Sequence, residues 1–247
     1  MNKICVLGSM NMDLVLKVKD MPKVGETILS KSFQKIAGGK GANQAVAAKR
    51  SGAEVFMISK IGKDENGREL KDKLVEDNID VKYVFEDRIE PTGIALIMVN
   101  DNGNNSIIVN AGSNMTLTKE EIHSAENLIK ESDIIISQFE TPEDITIEAF
   151  KIAKENGKVT ILNPAPAKKI KDELLKYTDI IVPNETEAEL LTGIEIKDIE
   201  DAKKAGDIFL DKGVKFIIIT LGEKGAALIG KDFCEIVPAY RVNAIDT

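Results

Sequence analysis

The chain has 247 residues, of which 43% are apolar and 30% charged, and its formal net charge is −8 at pH 7. This is enough chain for one large core or two unequal ones, and the acidic balance argues against non-specific binding to nucleic acid or anionic membranes. The apolar runs are far shorter than the roughly 18 residues of a membrane span. The N-terminal segment is typical of a first strand rather than a signal peptide, so we expect a cytoplasmic protein.

Short β-type runs alternate with helical stretches along most of the chain. The patterns predict, in chain order, strand 3–8, helix 41–51, strand 54–62, helices 65–78 and 118–131, strand 133–138, helix 143–156, strand 158–163, helix 171–177, strand 179–183, helices 184–192 and 199–212, strand 214–220 and a hairpin of 226–229 and 233–237. This alternation predicts an α/β fold with a doubly wound, mostly parallel sheet and helices on both faces. Ligands in such sheets bind at the rim formed by the carboxyl ends of the strands.

A second group of segments does not fit the alternation. Residues 14–19, residues 27–30 and the hairpin 93–110 have no helices between them, and we expect a small antiparallel sheet that covers the rim as a lid. The predicted domains are a main α/β domain of residues 1–13, 31–92 and 111–247 and a β-sheet lid of residues 14–30 and 93–110.

Cysteine and histidine usage argues against several kinds of site. Cys5 and Cys234 are far apart and belong to no CxxC pair, which favours two reduced, buried thiols over a metal centre. The single histidine, His123, lies one step off the apolar stripe of a predicted helix, and we interpret it as a surface residue. A multi-histidine zinc site and a Ser-His-Asp triad are therefore not expected.

Two motifs near the N-terminus are candidates for ligand binding. In "AGGKGANQ", Gly38, Gly39 and Gly41 open a helix, where bare backbone and the helix dipole favour polar or anionic ligands, although close packing alone also explains glycine there. In "GSMNMD", Asn11 and Asp13 point to one side of an extended chain and suit adjacent hydroxyls of a polyol. An Asx turn is the alternative interpretation of that second motif.

Two further motifs lie in the C-terminal half. In "PNETEAELLTG", Asn184 and Glu187 form a capping-box pattern, and Glu187 is alternatively a carboxylate for hydrated Mg²⁺. The segment "TLGEKGA" either cradles phosphates or turns a hairpin. The motifs GxxxxGK[ST] and GxGxxG are absent, which argues against a Walker-type NTPase and a Rossmann dinucleotide-binding protein.

In this order, the motifs resemble those of the ribokinase-like carbohydrate kinase family, together with "PKVGET", "PTGIALIMVN", "NAGSN", "QFETP", "LNPAPA" and "VNAIDT". The resemblance extends over the whole chain. It implies ATP-dependent phosphorylation of D-ribose at the 5-hydroxyl, with Mg²⁺ and an activating K⁺. The alternatives are another sugar or nucleoside kinase of the family, or a non-catalytic module that binds sugar or nucleotide.

The resemblance also implies roles for individual residues. The implied sugar-binding residues are Asn11, Asp13, Gly38, Gly39, Lys40, Asn43 and Glu140. The implied ATP-binding residues are Asn184, Thr220, Leu221, Gly222, Glu223, Lys224 and Gly225. Glu187 matches a carboxylate that holds Mg²⁺ through water, and Asp246 matches a K⁺ ligand. The lid implies a homodimer formed through its strands.

The printed sequence stops at "NAIDT", where family members continue into a glycine-rich GAGD segment. The resemblance puts the general base and the anion hole for the transferred phosphoryl group in that segment, so we expect both beyond Thr247. A general base contributes roughly 10²–10⁴-fold to a rate, and fixed donors for the developing charge contribute roughly 10²–10³-fold. We interpret the printed chain as a portion of a longer enzyme.

Overall fold

The computed structural model describes residues 2–241 and contains a large and a small β-sheet. The strands are β1 (Lys3–Leu7), β2 (Asn11–Lys17), β3 (Ser32–Gly38), β4 (Glu54–Gly62), β5 (Asp80–Asp87), β6 (Gly93–Val99), β7 (Asn105–Asn110), β8 (Ile134–Ser137), β9 (Val159–Leu162), β10 (Ile180–Ile181), β11 (Phe216–Thr220), β12 (Ala226–Gly230) and β13 (Phe233–Val237). The helices are α1 (Lys40–Arg50), α2 (Glu65–Glu76), α3 (Lys119–Ser124), α4 (Glu126–Glu131), α5 (Glu143–Glu155), α6 (Asp172–Lys176), α7 (Glu185–Thr192) and α8 (Ile199–Asp211).

The large sheet has the strand order β13-β12-β11-β10-β9-β8-β1-β4-β5. All neighbours from β11 to β5 run parallel, and β12 and β13 add an antiparallel hairpin at one edge. The apolar sequences of β8, β9 and β11 suit strands in a covered parallel sheet. The predicted doubly wound α/β fold is therefore confirmed.

Helices lie on both faces of this sheet, over different strands. On one face, α1 packs against β1 and β4, and α2 against β4 and β5, around Met57 and Leu70. On the other face, α5 packs against β8 and β9, and α8 against β11 and β12, around Phe150 and Phe209. None of the helices within residues 2–241 is long and apolar enough to cross a membrane.

The small sheet has the order β3-β2-β6-β7. Its outer pairs are antiparallel, as predicted, whereas the central pair of β2 and β6 is parallel. Residues 11–13 and 32–38 belong to this sheet, so it extends beyond the segments predicted as the lid. The division of the chain into two domains stays a prediction.

The prediction of a strand at residues 27–30 is wrong. Lys17 pairs with Ser32 in the β2–β3 register, and the Lys31 N–H donates to the Lys17 carbonyl at 2.7 Å. These bonds close a loop over residues 18–31, which leaves residues 27–30 without a partner strand. The segment "TILS" has residues with high strand propensity, but a strand forms only where the backbone pairs with a neighbouring strand.

Two other local predictions need correction. The predicted helix 118–131 divides into α3 and α4 at Ala125, and Thr118 and Glu121 form a capping box at its start. Strand β5 was not predicted, although "DVKYVFED" alternates apolar and polar residues.

The side chain of His123 is 51% exposed, which confirms its predicted surface position. Cys5 and Cys234 are both free, with Cys5 buried and Cys234 partly exposed.

Candidate active site

The parallel strands of the large sheet end on one edge, and polar residues follow several of them. Ser9 comes after β1 and Glu140 after β8. Because β1 and β8 are neighbours, the two residues meet there. The chain then passes from Ser9 into β2, which carries Asn11 and Asp13 into the small sheet. This continuity joins the two sheets at the candidate sugar site.

Asn11 and Asp13 lie on one face of β2, as the alternation predicts. Gly38 is directly opposite Asn11 in β3, and a Cβ at position 38 would overlap Asp13 Oδ2 and lie 2.7 Å from Asp13 Cγ. Gly93 is opposite Asn11 in β6, and a Cβ there would overlap Asn11 Oδ1. The two polar side chains therefore lie over glycines on both sides of β2.

Gly39 and Gly41 are required by close approach of backbone to backbone. Gly39 has φ 96° and is the N-cap of α1. A Cβ at position 39 would lie 2.7 Å from the Asn11 backbone nitrogen, and one at position 41 would lie 2.6 Å from the Ser9 backbone nitrogen. The interpretation of close packing thus accounts for these two glycines, while Gly38 makes room for the Asp13 carboxylate.

The carboxylate of Glu140 is held at the start of α1. Its Oε2 accepts from Ser9 Oγ at 2.5 Å and from the Lys40 backbone N–H at 3.3 Å, and Lys40 Nζ is 3.7 Å from Oε1. Ser9 Oγ also accepts from the Gly41 N–H at 3.4 Å. The structure therefore brings Lys40 and Glu140 together, as the resemblance implies, with Ser9 between Glu140 and the helix.

Asp13 is a perturbed acid. Burial and the nearby negative charge of Glu140 raise the pKa of Asp13 from 3.8 to about 6, while the positive charge of Lys40 opposes this rise. A carboxylate that titrates near neutral pH in a cleft is a common feature of functional sites. With a pKa of about 6, Asp13 is mostly ionised at pH 7 and is then a strong hydrogen-bond acceptor for hydroxyl groups.

Asn43 lies on α1, but its side chain is not hydrogen-bonded to this group. It is exposed and lines a groove of about 690 Å³ between α1, α2 and β3. Within the described residues, its side chain makes no hydrogen bond to Asn11, Asp13 or Glu140. Asn43 therefore lies on the same helix as Lys40, and its backbone N–H donates to the Gly39 carbonyl at 2.9 Å, but its side chain is not bonded to the other polar candidates.

The predicted capping box at α7 is present. Asn184 Oδ1 accepts from the Glu187 N–H at 2.7 Å, and Glu187 Oε2 accepts from the Asn184 N–H at 2.9 Å. Asn184 also forms a parallel bridge with Thr220 at the end of β11. Two of the candidate nucleotide-binding residues are thus adjacent at the rim.

The segment after Thr220 is a tight turn between β11 and β12. Gly222 and Gly225 have φ of 56° and 107°, and residues 222–224 form one turn of 3₁₀ helix. The Leu221 N–H donates to the Gly225 carbonyl at 2.8 Å, which closes the turn. Residues 222–224 are exposed, so the turn presents backbone and the Lys224 side chain to solvent beside Asn184.

The described residues offer little for a metal cage. No group of three or more His, Cys, Asp or Glu side chains in residues 2–241 is arranged to hold a metal ion. Glu187 is 9% exposed and uses Oε2 in the capping box, which leaves Oε1 as a possible ligand. Mg²⁺ in phosphate-transfer sites binds through one or two carboxylates and several waters, so this arrangement fits such an ion. Asp246 lies outside the described residues.

Ser9 and Asn114 contact the candidate residues but were not predicted as site residues. Asn114 Nδ2 lies 2.8 Å from Asn11 Oδ1, although 103 residues separate them in sequence. Both residues occur in motifs that carried the resemblance, "GSMNMD" and "NAGSN". The local sequence of these motifs does not indicate which side chains Ser9 and Asn114 contact.

A pfkB family carbohydrate kinase model matches residues 1–247, and the chain therefore belongs to this family of carbohydrate kinases. A ribokinase of Haemophilus influenzae is 44% identical over 244 residues, which cover 99% of this chain and 80% of the relative. A deoxyribokinase of Salmonella typhi is 39% identical over 247 residues, covering 99% and 80%. The structure of Arabidopsis thaliana ribokinase complexed with ribose and ATP matches with a TM-score of 0.89 at 31% identity, covering 100% of this chain and 80% of that one.

Proposed function

We propose that the protein transfers the γ-phosphoryl group of ATP to the 5-hydroxyl of D-ribose. The observation that carries this proposal is the placement of Asn11 and Asp13 on one face of β2, over Gly38 and close to the Glu140–Lys40 pair. An amide and a carboxylate side by side suit the vicinal hydroxyls of a sugar. The similarity to proteins named ribokinase supports ribose over other sugars.

The charges of the site favour a neutral sugar. Lys40 is the one cation among the candidate sugar-binding residues, and its Nζ lies 3.7 Å from Glu140 Oε1. A site for a sugar that already carries a phosphate requires cationic groups that are free to pair with it. The partial pairing of Lys40 therefore supports an uncharged pentose as the substrate.

The nucleotide end of the site is proposed from Asn184 and the turn after Thr220. Asn184, Thr220, Leu221, Gly222, Glu223, Lys224 and Gly225 would contact the phosphates and ribose of ATP, and Glu187 would hold Mg²⁺ through water. When bound, this ion neutralises charge that develops on the phosphate oxygens. Activation by K⁺ at Asp246 stays a prediction.

We also propose a homodimer formed through the small sheet, which would act as the lid. Strands β3 and β7 are its edges, and exposed apolar side chains lie on both, among them Phe33 at 56% and Ile108 at 63% exposure. Open edges with apolar side chains favour pairing with a second copy. Light scattering should give twice the chain mass, and Ile108→Asp should lower the measured mass to that of one chain.

A cytoplasmic location stays a prediction from the N-terminal sequence.

A substrate panel tests the proposed reaction. Ribose, deoxyribose, fructose and adenosine are compared by kcat/KM in an assay coupled to ADP formation. We expect ribose to give the highest value and ADP formation to require both ATP and Mg²⁺. If ribose turns over no faster than fructose, the proposed substrate is wrong. If none of the four supports ADP formation while ribose still binds, the alternative of a sugar-binding module is favoured.

A further inference from the structure

The buried side chain of Asn114 is oriented by backbone groups on both sides. Asn114 is 1% exposed. Its Oδ1 accepts from the Met10 N–H at 2.9 Å, and its Nδ2 lies 3.2 Å from the Met10 carbonyl oxygen and 2.9 Å from the Ala111 carbonyl oxygen. A backbone N–H only donates and a carbonyl only accepts. The amide oxygen and the amide nitrogen of Asn114 can therefore be assigned in only one way.

The orientation of Asn11 follows from that of Asn114. Asn114 Nδ2 is a donor and lies 2.8 Å from the Asn11 side chain, so the Asn11 atom that faces it is the acceptor Oδ1. The other branch, Asn11 Nδ2, is directed away from Asn114 and donates no hydrogen bond to the described part of the chain. Because ionised Asp13 only accepts, β2 presents one donor and one acceptor on the same face.

Gly93 leaves the space that this arrangement needs. It pairs with Asn11 in the β2–β6 register. A Cβ at position 93 would overlap both Asn11 Oδ1 and Asn114 Nδ2 and would lie 2.9 Å from the Ala111 carbonyl oxygen. The contact between the two amides thus depends on three segments that are distant in sequence.

We propose that Asn114 is a positioning residue, which holds Asn11 so that Nδ2 donates a hydrogen bond to an oxygen of the bound sugar while Asp13 accepts a hydrogen bond from a neighbouring hydroxyl. The proposal rests on the proposed sugar kinase function. A fixed donor discriminates against sugars that lack the oxygen it meets, because the donor is then left unpaired. Asn114 therefore affects sugar selection without touching the sugar.

The variant Asn114→Asp tests this proposal. It keeps the acceptor for the Met10 N–H but replaces the donor that faces Asn11 Oδ1, so Asn11 turns and presents Oδ1 to the sugar. We expect the KM for the preferred sugar of the panel to rise about 10- to 100-fold, with little change in kcat or in the KM for ATP. Asn110→Asp is the matched control, because Asn110 is exposed and its Oδ1 accepts only from the Gly112 N–H.

A double-mutant cycle separates positioning from a general structural effect. In an Asn11→Ala background, Asn114→Asp should cause almost no further rise in the sugar KM. Full additivity of the two changes would overturn the proposal. So would an unchanged sugar KM in folded Asn114→Asp enzyme. These outcomes are distinct from failure of the proposed function, which the wild-type panel alone decides.

A crystal structure of the wild-type enzyme with its preferred sugar decides the matter if Asn114→Asp does not fold. We expect a sugar oxygen within hydrogen-bond distance of the Asn11 amide branch that points away from Asn114. A sugar that contacts only the Asn11 branch facing Asn114, or that does not contact Asn11, would contradict the proposal.

Discussion

The carboxylate of Asp13 fills the space that a side chain at position 38 would need. A Cβ on Gly38 would overlap Asp13 Oδ2 and lie 2.7 Å from Cγ. Gly38→Ala should therefore displace the Asp13 carboxylate and lower the free energy of unfolding by about 1–3 kcal/mol, the usual cost of overpacking. Chemical denaturation of the two proteins measures this difference.

The cause of that loss is tested by removing the carboxylate. In an Asp13→Ala background, Gly38→Ala should cost much less stability, because the three atoms nearest to a Cβ at position 38 all belong to the Asp13 carboxylate. An equal loss in both backgrounds would mean that the glycine is needed for another reason.

The raised pKa of Asp13 predicts a pH dependence of sugar binding. The pKa of Asp13 is about 6 in the folded protein, against an ordinary value of 3.8. Protonation below pH 6 converts the acceptor into a neutral acid, so the sugar KM should rise as pH falls from 7 to 5. Kinetics of the wild-type enzyme and Asp13→Asn over this range test the point, since the variant should show no inflection near pH 6.

The same shift predicts a stability effect of defined sign. Because the folded pKa of Asp13 exceeds its unfolded value, the ionisation of Asp13 opposes folding. This destabilising contribution disappears as pH falls through 6 toward 4.

Glu140→Gln removes a negative charge that raises the pKa of Asp13. The inflection in sugar KM should therefore move to lower pH in Glu140→Gln, although burial still raises the pKa of Asp13. An inflection that stays in place would contradict the contribution of Glu140 to this pKa.

The sequence predicted those parts of the site that depend on local geometry. Asn11 and Asp13 share a face because strand side chains alternate, and Asn184 and Glu187 form a capping box because that motif spans one helical turn. Contacts across the chain were not predictable. The role of Gly41 depends on backbone at Ser9, and local patterns contain no information about which distant segment packs there.

The same distinction between local patterns and contacts of distant segments applies to the fold. The parallel sheet was predicted from helix–strand alternation, whereas β5 was missed and residues 27–30 were wrongly given as a strand. In both places the outcome depended on pairing with a neighbour rather than on composition. The raised pKa of Asp13 was also unpredictable, because Glu140 is 127 positions away in the sequence.

Ser9 links Glu140 to the start of α1, and its removal should weaken sugar binding. Ser9→Ala loses the hydroxyl that donates to Glu140 Oε2 at 2.5 Å, which frees this carboxylate to move. We expect a rise of about 3- to 10-fold in the sugar KM. Ser51→Ala is the control, because that exposed hydroxyl bonds only the Ala47 carbonyl of its own helix end. Equal sugar KM values in Ser9→Ala and the wild type would show that Ser9 does not position Glu140.

Glu187 has two predicted roles that one substitution separates. Glu187→Gln keeps an acceptor for the Asn184 N–H but removes the charge. The free energy of unfolding should therefore change by less than about 1 kcal/mol. If Glu187 holds Mg²⁺ through water, the Mg²⁺ concentration for half-maximal activity should rise about 10-fold or more. Glu121→Gln changes the equivalent capping-box residue of α3 and should leave the Mg²⁺ requirement unchanged. If the wild type, Glu187→Gln and Glu121→Gln all need the same Mg²⁺ concentration for half-maximal activity, Glu187 caps the helix and does not hold Mg²⁺.

The central claim is that a pentose binds against Asn11, Asp13 and the turn at residues 38–41, and calorimetric titration with ribose tests it most directly. We expect the wild-type protein to bind one ribose per chain at pH 7.5. Asp13→Asn should weaken binding at least about 10-fold, because the variant replaces an ionised acceptor. Asp20→Asn, at an exposed position, should bind like the wild type. Ribose binding of equal strength in Asp13→Asn and the wild type would contradict the account.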